Sequence, residues 1–201
     1  MKKIRYIAVF CGSRVGKEPL YEAHAKELGT LLAQSGISLV YGAGGIGLMN
    51  AVAEGCLQNG GHAIGVLPTF FDTDAVARND LSELILTATM SERKNKIMEL
   101  SDAFIALPGG YGTLDELFEV LTFSQLSLHQ KPVAILNTLD FYAPMLSQLQ
   151  IMENEDFLFD VHHKMLIVEN SPQKVLEKIQ SFDYQQNTQW VEKVKMKRME
   201  N

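Results

Sequence analysis

Short apolar runs alternate with amphipathic stretches along most of the chain. Tyr6-Ile7-Ala8-Val9-Phe10 is a β-prone run that stops at Cys11-Gly12-Ser13, and it predicts a buried strand opening into a loop. After Pro19, Leu20, His24, Leu28, Leu31 and Leu32 recur at helical spacing, and Gly36 closes that segment. The unit then repeats: a strand over 37–41, a glycine turn over 42–45, a helix over 48–58 ended by Asn59-Gly60-Gly61, and a third strand over 63–67.

Between Pro68 and Ser82 the periodicity disappears, which predicts a long loop at the active-site end, followed by a short strand at Leu84-Ile85-Leu86. Further on, the pattern predicts helices over 91–100, 113–125, 141–152 and 172–179, and strands over 103–107, 132–136 and 166–168. The tail from Ser181, rich in Gln and Lys, predicts a loose end or a surface helix anchored by Trp190. Alternating strands and helices require parallel pairing with right-handed crossovers. The expected fold is therefore an α/β, single-domain, doubly wound parallel sheet with helices on both faces, spanning residues 1–180, with 181–201 as its tail. Ligands of such sheets bind at the carboxyl ends of the strands, where the glycine clusters at 12, 42–47 and 109–112 all fall.

Composition narrows the partners. With 201 residues, 46% of them apolar, the chain buries a substantial core without room for a second complete domain. A net charge of −6 argues against a nucleic-acid partner. No apolar run approaches the roughly 18 residues of a membrane span, and the charged start leads into a run too short for a signal segment, so a soluble cytoplasmic protein is expected. Cys11 and Cys56 form no CxxC pair, and the five histidines show no HExxH spacing, so no metal is expected.

Three glycine motifs carry candidate chemistry. Gly42-Ala43-Gly44-Gly45-Ile46-Gly47 satisfies GxGxxG between a strand and a helix. It follows the second strand, not the first, and the third strand ends without an Asp or Glu for a ribose 2′-hydroxyl, so a mononucleotide or phosphate site suits it better than a dinucleotide. The alternative is a set of glycines that merely permit a tight turn. Gly12-Ser13-Arg14-Val15-Gly16-Lys17 is one residue short of a P-loop, with Glu18 where Ser or Thr would bind magnesium.

The strongest signal is Pro108-Gly109-Gly110-Tyr111-Gly112-Thr113. Pro108 stops a strand, the glycines free backbone N–H groups, and Thr113 begins a helix whose positive end faces them. Such a loop binds phosphate without lysine. Its plain alternative is a strand-to-helix turn capped by Thr113, with Glu116 completing a capping box. Arg93-Lys94 lies in a charged run that reads either as a solvated face or as a cation reaching the crevice.

These residues resemble the LOG-type cytokinin riboside 5′-monophosphate phosphoribohydrolases, often misnamed lysine decarboxylases. The similarity runs over roughly 5–180 and rests on Phe10-Cys11-Gly12-Ser13, on Tyr41 to Met49, on Met90 with Glu92-Arg93-Lys94, and on PGGxGTxxE from Pro108 to Glu116, followed by Thr122 and Gln125. It departs at Thr89-Met90-Ser91 and over 70–82.

The resemblance implies Glu116 and Arg93 as catalytic residues. It implies Gly109, Gly110, Gly112, Thr113 and Thr122 as phosphate or ribose contacts, and Lys94, Gly44, Gly45 and Ser13 as further substrate contacts. The implied reaction cleaves the N-glycosidic bond of an adenosine-type 5′-monophosphate, plain or N6-modified, without a cofactor and in a homodimer. A noncatalytic nucleotide sensor would use the same cradle. A pyridoxal-phosphate decarboxylase would need a Schiff-base lysine and an acid at the pyridine nitrogen, and no such context is visible.

Overall fold

Seven short strands form one parallel sheet: β1 (Tyr6–Phe10), β2 (Ser38–Tyr41), β3 (Ala63–Pro68), β4 (Glu83–Thr87), β5 (Ala103–Ala106), β6 (Val133–Leu136) and β7 (Leu166–Glu169), in the order β4-β3-β2-β1-β5-β6-β7. Every pairing is parallel. The computed structural model describes residues 3–71, 76–158 and 165–183. The expected C-terminal tail beyond 183, Trp190, His162 and His163 lie outside the described residues.

Alternate residues of each strand feed two cores, which is why the inner strands are apolar throughout and not amphipathic. Ile7, Val9, Leu39 and Tyr41 point to one face, covered by α1 (Pro19–Gln34), α2 (Gly47–Gln58) and α6 (Pro172–Gln180). Ala8, Phe10, Val40 and Phe104 point to the other, covered by α3 (Met90–Leu100), α4 (Tyr111–Gln125) and α5 (Ala143–Asn154). The edge strand β4 is more open, with Leu84 and Leu86 exposed.

Three expectations are corrected. α4 begins at Tyr111 with Gly110 as its N-cap, two residues earlier than expected, so Thr113 sits inside the first turn and forms no capping box with Glu116. A related arrangement occurs instead at α3: the N-cap Thr89 hydroxyl accepts from Glu92 N–H at 3.1 Å, and the Glu92 carboxylate accepts from the N–H of Ala88, the residue before the cap, at 2.8 Å. α5 starts at Ala143, because Leu139 and Asp140, at φ 53 and 55 inside a 3-10 turn at Thr138–Asp140, keep that turn from running on into the helix.

The topology creates one crevice. Chain order reverses between β1 and β5, and the loops that leave their carboxyl ends diverge there. They remain laced at the base: Leu107 N–H donates to Phe10 O at 2.8 Å and Gly12 N–H to Pro108 O at 3.1 Å. Leu48 N–H reaches Gly12 O at 3.0 Å, bringing the start of α2 onto the same loop. Gly47 makes that approach possible, since its φ is +65 and a β-carbon there would overlap the backbone of Ser13 and Arg14.

Candidate active site

Glu116 lies on the wall of this crevice, 9% exposed, with Arg93 Nη1 donating to its Oε1 at 2.9 Å. Arg93 projects from α3, and its Nε donates to Val66 O in β3 at 3.1 Å. A guanidinium has a fixed fork, so these two bonds together define where the group lies. Gly42, after β2, leaves the space that Arg93 Nη2 fills.

Burial pushes the Glu116 carboxyl above the ordinary glutamate value, and the Arg93 charge pulls part of the way back. The nearby Cys11 thiol is pushed up by burial first and by Glu116 second, so it stays protonated and neutral.

The crevice encloses about 280 Å³, near the lower end of small-molecule sites. Its lining includes Gly110, Tyr111, Gly112 and Thr113, around the opening turn of α4, together with Gly12 and Ser13 of the loop after β1 and with Gly42, Met49 and Met90. Gly110 supplies no side-chain cap. The first amides of a helix have no intrahelical acceptor, and together with the macrodipole they favour an anion at that end. Gly109 is packed closely enough that a β-carbon would overlap Thr113 Oγ1, whereas Gly110 and Gly112 face open space. The Tyr142 hydroxyl donates to Leu107 O at 2.6 Å and braces the loop from below.

The expected site residues therefore divide. Glu116, Arg93, Gly110, Gly112, Thr113 and Ser13 come together around the crevice, and Gly109 forms the floor of its loop. Four others stand away from its lining. Gly44 packs on Met49, and Gly45 N–H donates to Val76 O at 2.8 Å, in a bridge to the loop after β3. Thr122 is exposed and donates to Phe118 O at 2.7 Å. Lys94 Nζ is engaged by Asp115 and Glu119.

Cys11, Met49, Met90 and the carbonyl of Val66 are not among the expected site residues, and Gly42, expected at the crevice, serves there as room for Arg93. Glycine at 42 belonged to a motif read as a phosphate turn, and a backbone carbonyl leaves no mark on a sequence. Among the described residues, no helix is long and apolar enough to cross a membrane.

The family described as possible lysine decarboxylase matches residues 49–179. The chain is 39% identical over 190 residues to the cytokinin riboside 5′-monophosphate phosphoribohydrolase LOG of Oryza sativa subsp. japonica, covering 94% of this chain and 78% of that protein. It is also 39% identical to a cytokinin riboside 5′-monophosphate phosphoribohydrolase of Arabidopsis thaliana, over 90% of this chain and 84% of that one.

Among solved structures, the molybdenum cofactor binding protein of Rippkaea orientalis has a TM-score of 0.68 and 27% identity, over 90% of this chain and 98% of that chain. The molybdenum cofactor carrier protein of Chlamydomonas reinhardtii, at 21% identity and a TM-score of 0.68 over 88% and 96% of the two chains, shares the fold. By its match to the family and its similarity along nearly its whole length to these plant proteins, the chain belongs to the LOG family, the group also described as possible lysine decarboxylases.

Proposed function

We propose that this chain hydrolyses the N-glycosidic bond of adenosine-type nucleoside 5′-monophosphates, AMP or N6-modified AMP, to free base and ribose 5-phosphate. The observation that carries the reading is the buried Arg93–Glu116 pair standing beside the uncapped amino end of α4. A phosphate held by the amides of Tyr111, Gly112 and Thr113 leaves the ribose to run along α4 towards Glu116.

Cleavage of an N-glycosidic bond builds positive charge on the ribose ring, and a carboxylate next to C1′ stabilises that charge. Arg93 favours the ionised form of Glu116 against the effect of its burial and holds its orientation. The phosphate grip fixes C1′ relative to Glu116, so binding energy from one end of the substrate serves the chemistry at the other. The crevice lining also includes Met49 and Met90, adaptable apolar side chains suited to a purine with or without an N6 substituent.

The protein acts, in this reading, as a homodimer in the cytoplasm. Tyr111 and Phe118, two turns apart on α4, leave exposed apolar surface on one stretch of that helix, and Leu126 and Leu128 are exposed past its far end. The free thiols Cys11 and Cys56 suit a reducing compartment. The test is incubation with AMP and with isopentenyl-AMP. Release of free base supports hydrolysis, and nucleotide recovered intact with the protein supports the sensor instead.

A further inference from the structure

The two residues of the Arg93-Lys94 pair have different partners. Arg93 faces the crevice, whereas Lys94 is not part of its lining. Lys94 Nζ lies 3.1 Å from Asp115 Oδ2 and 3.1 Å from Glu119 Oε1, with its side chain 17% exposed. Asp115 and Glu119 are one helical turn apart on α4, so a single ammonium spans that turn. Consecutive residues of α3 thus grip α4 on both sides of the catalytic carboxylate: Arg93 holds Glu116, and Lys94 holds the residue before it and a residue one turn after.

α3 needs such a grip. Ile97 is its only buried residue, and the rest of its sequence, Met90 to Leu100, is largely polar. Beside it only the half-buried Met98 and Leu100 pack on the same core, little to set the spacing of two helices to the tolerance that a 2.9 Å contact demands. Of the two anchors Glu119 is the more sheltered, 25% exposed against 58% for Asp115, and the less screened by solvent.

We propose that Lys94 is a positioning residue, tying α3 to α4 through Glu119 and Asp115 and thereby fixing Arg93 against Glu116. This assignment rests on the hydrolase reading and replaces the direct substrate contact that the resemblance implies for Lys94.

The charges that face Glu116 supply a signature that packing alone does not. From α3 come Arg93 and Lys94, both favouring its ionised form; from its own helix comes Asp115, opposing it; from the loop after β1 comes Cys11, a neutral thiol. Removing Lys94's charge and removing Asp115's charge therefore move the titration of Glu116 in opposite directions.

The experiment follows adenine released from AMP across pH in wild type, Lys94→Met, Lys94→Arg, Asp115→Asn and Glu119→Gln. Lys94→Met keeps much of the apolar stem and loses the charge. Its kcat is expected to fall by about 10- to 100-fold while KM stays within about threefold. Its acidic limb is expected to move to higher pH and that of Asp115→Asn to lower pH, with Lys94→Arg regaining most of the kcat.

A raised KM with kcat retained in Lys94→Met would make Lys94 a substrate contact and overturn the proposal. So would a loss of kcat with the limb unmoved and no recovery in Lys94→Arg. Should Lys94→Met not fold, Glu119→Gln carries the test: a smaller loss in kcat is expected, and wild-type kcat overturns the proposal. Wild type that releases no adenine removes the hydrolase reading and this assignment with it, whereas active wild type beside fully active Lys94→Met removes the assignment alone.

Discussion

Gly42 and Arg93 compete for one space: a β-carbon at residue 42 would overlap Nη2 of the guanidinium whose Nη1 holds Glu116 at 2.9 Å. The atom in the way is the free end of a long side chain, so the fold accommodates the intruder by moving Arg93. Gly42→Ala is therefore expected to fold with nearly wild-type Tm while kcat falls by on the order of 10²-fold, the cost of about 1 Å of misplacement at a catalytic group. A Gly42→Ala enzyme with normal kcat would show that Arg93 need not occupy that position.

Glu116→Gln preserves shape and an acceptor oxygen for Arg93 and removes the negative charge. The expected loss is on the order of 10³-fold or more in kcat, with AMP affinity by calorimetry changed little, because the missing interaction belongs to the transition state. A folded Glu116→Gln protein that turns over normally would exclude Glu116 from the chemistry.

Burial raises the Glu116 carboxyl above its ordinary value of 4.5, with Arg93 opposing. A group that must be ionised loses function as pH falls through its own pKa, so the acidic limb of kcat is expected above the range of an exposed glutamate. Saturating AMP and a pH series check this; a limb at or below 4.5 would assign it to some other group.

Arg93→Ala removes half of a pair in which the two side chains are 12% and 11% exposed. It leaves Glu116 buried without compensation, which costs about 3–5 kcal/mol in comparable pairs, and it is expected to lose both activity and thermal stability. Lys96→Ala is the control: its contact with Glu99 is 3.9 Å at an exposed position, and exposed pairs contribute about 0–1 kcal/mol. Similar small effects in the two variants would return Arg93 to a solvated helix face.

The doubly wound architecture was legible because the inner strands are buried on both faces and so appear as unbroken apolar runs, Tyr6 to Phe10 among them. Pro108 to Thr113 was legible for a similar reason, since a strand stop, glycines and a helix start are all local. What escaped was long-range. Gly42 serves a guanidinium from a helix two strands further along the chain, and Arg93 borrows the carbonyl of Val66.

Spacing also misplaced the cap of α4, because Thr113 is a good capping residue and only the path of Gly110 shows that the helix has already begun. Thr122 was matched by its place in a motif, yet its hydroxyl bonds back to Phe118 O on its own helix.

Gly110 offers the most direct test of the phosphate grip. Nothing lies within 4 Å of the position its β-carbon would take, so Gly110→Val fits the folded protein while placing a branched side chain at the mouth of the cradle. Gly109 is a poor choice for the same purpose, because a β-carbon there meets Thr113 and disturbs the loop itself. Wild type is expected to release adenine from AMP with kcat/KM at least about 10³-fold above that for adenosine, since the phosphate contributes both affinity and the placement of C1′. In Gly110→Val that preference is expected to shrink, through loss of AMP turnover and not through gain with adenosine, while Tm stays near wild type. Equal kcat/KM for the two substrates in wild type, or normal AMP turnover in folded Gly110→Val, would remove the opening turn of α4 as the phosphate site.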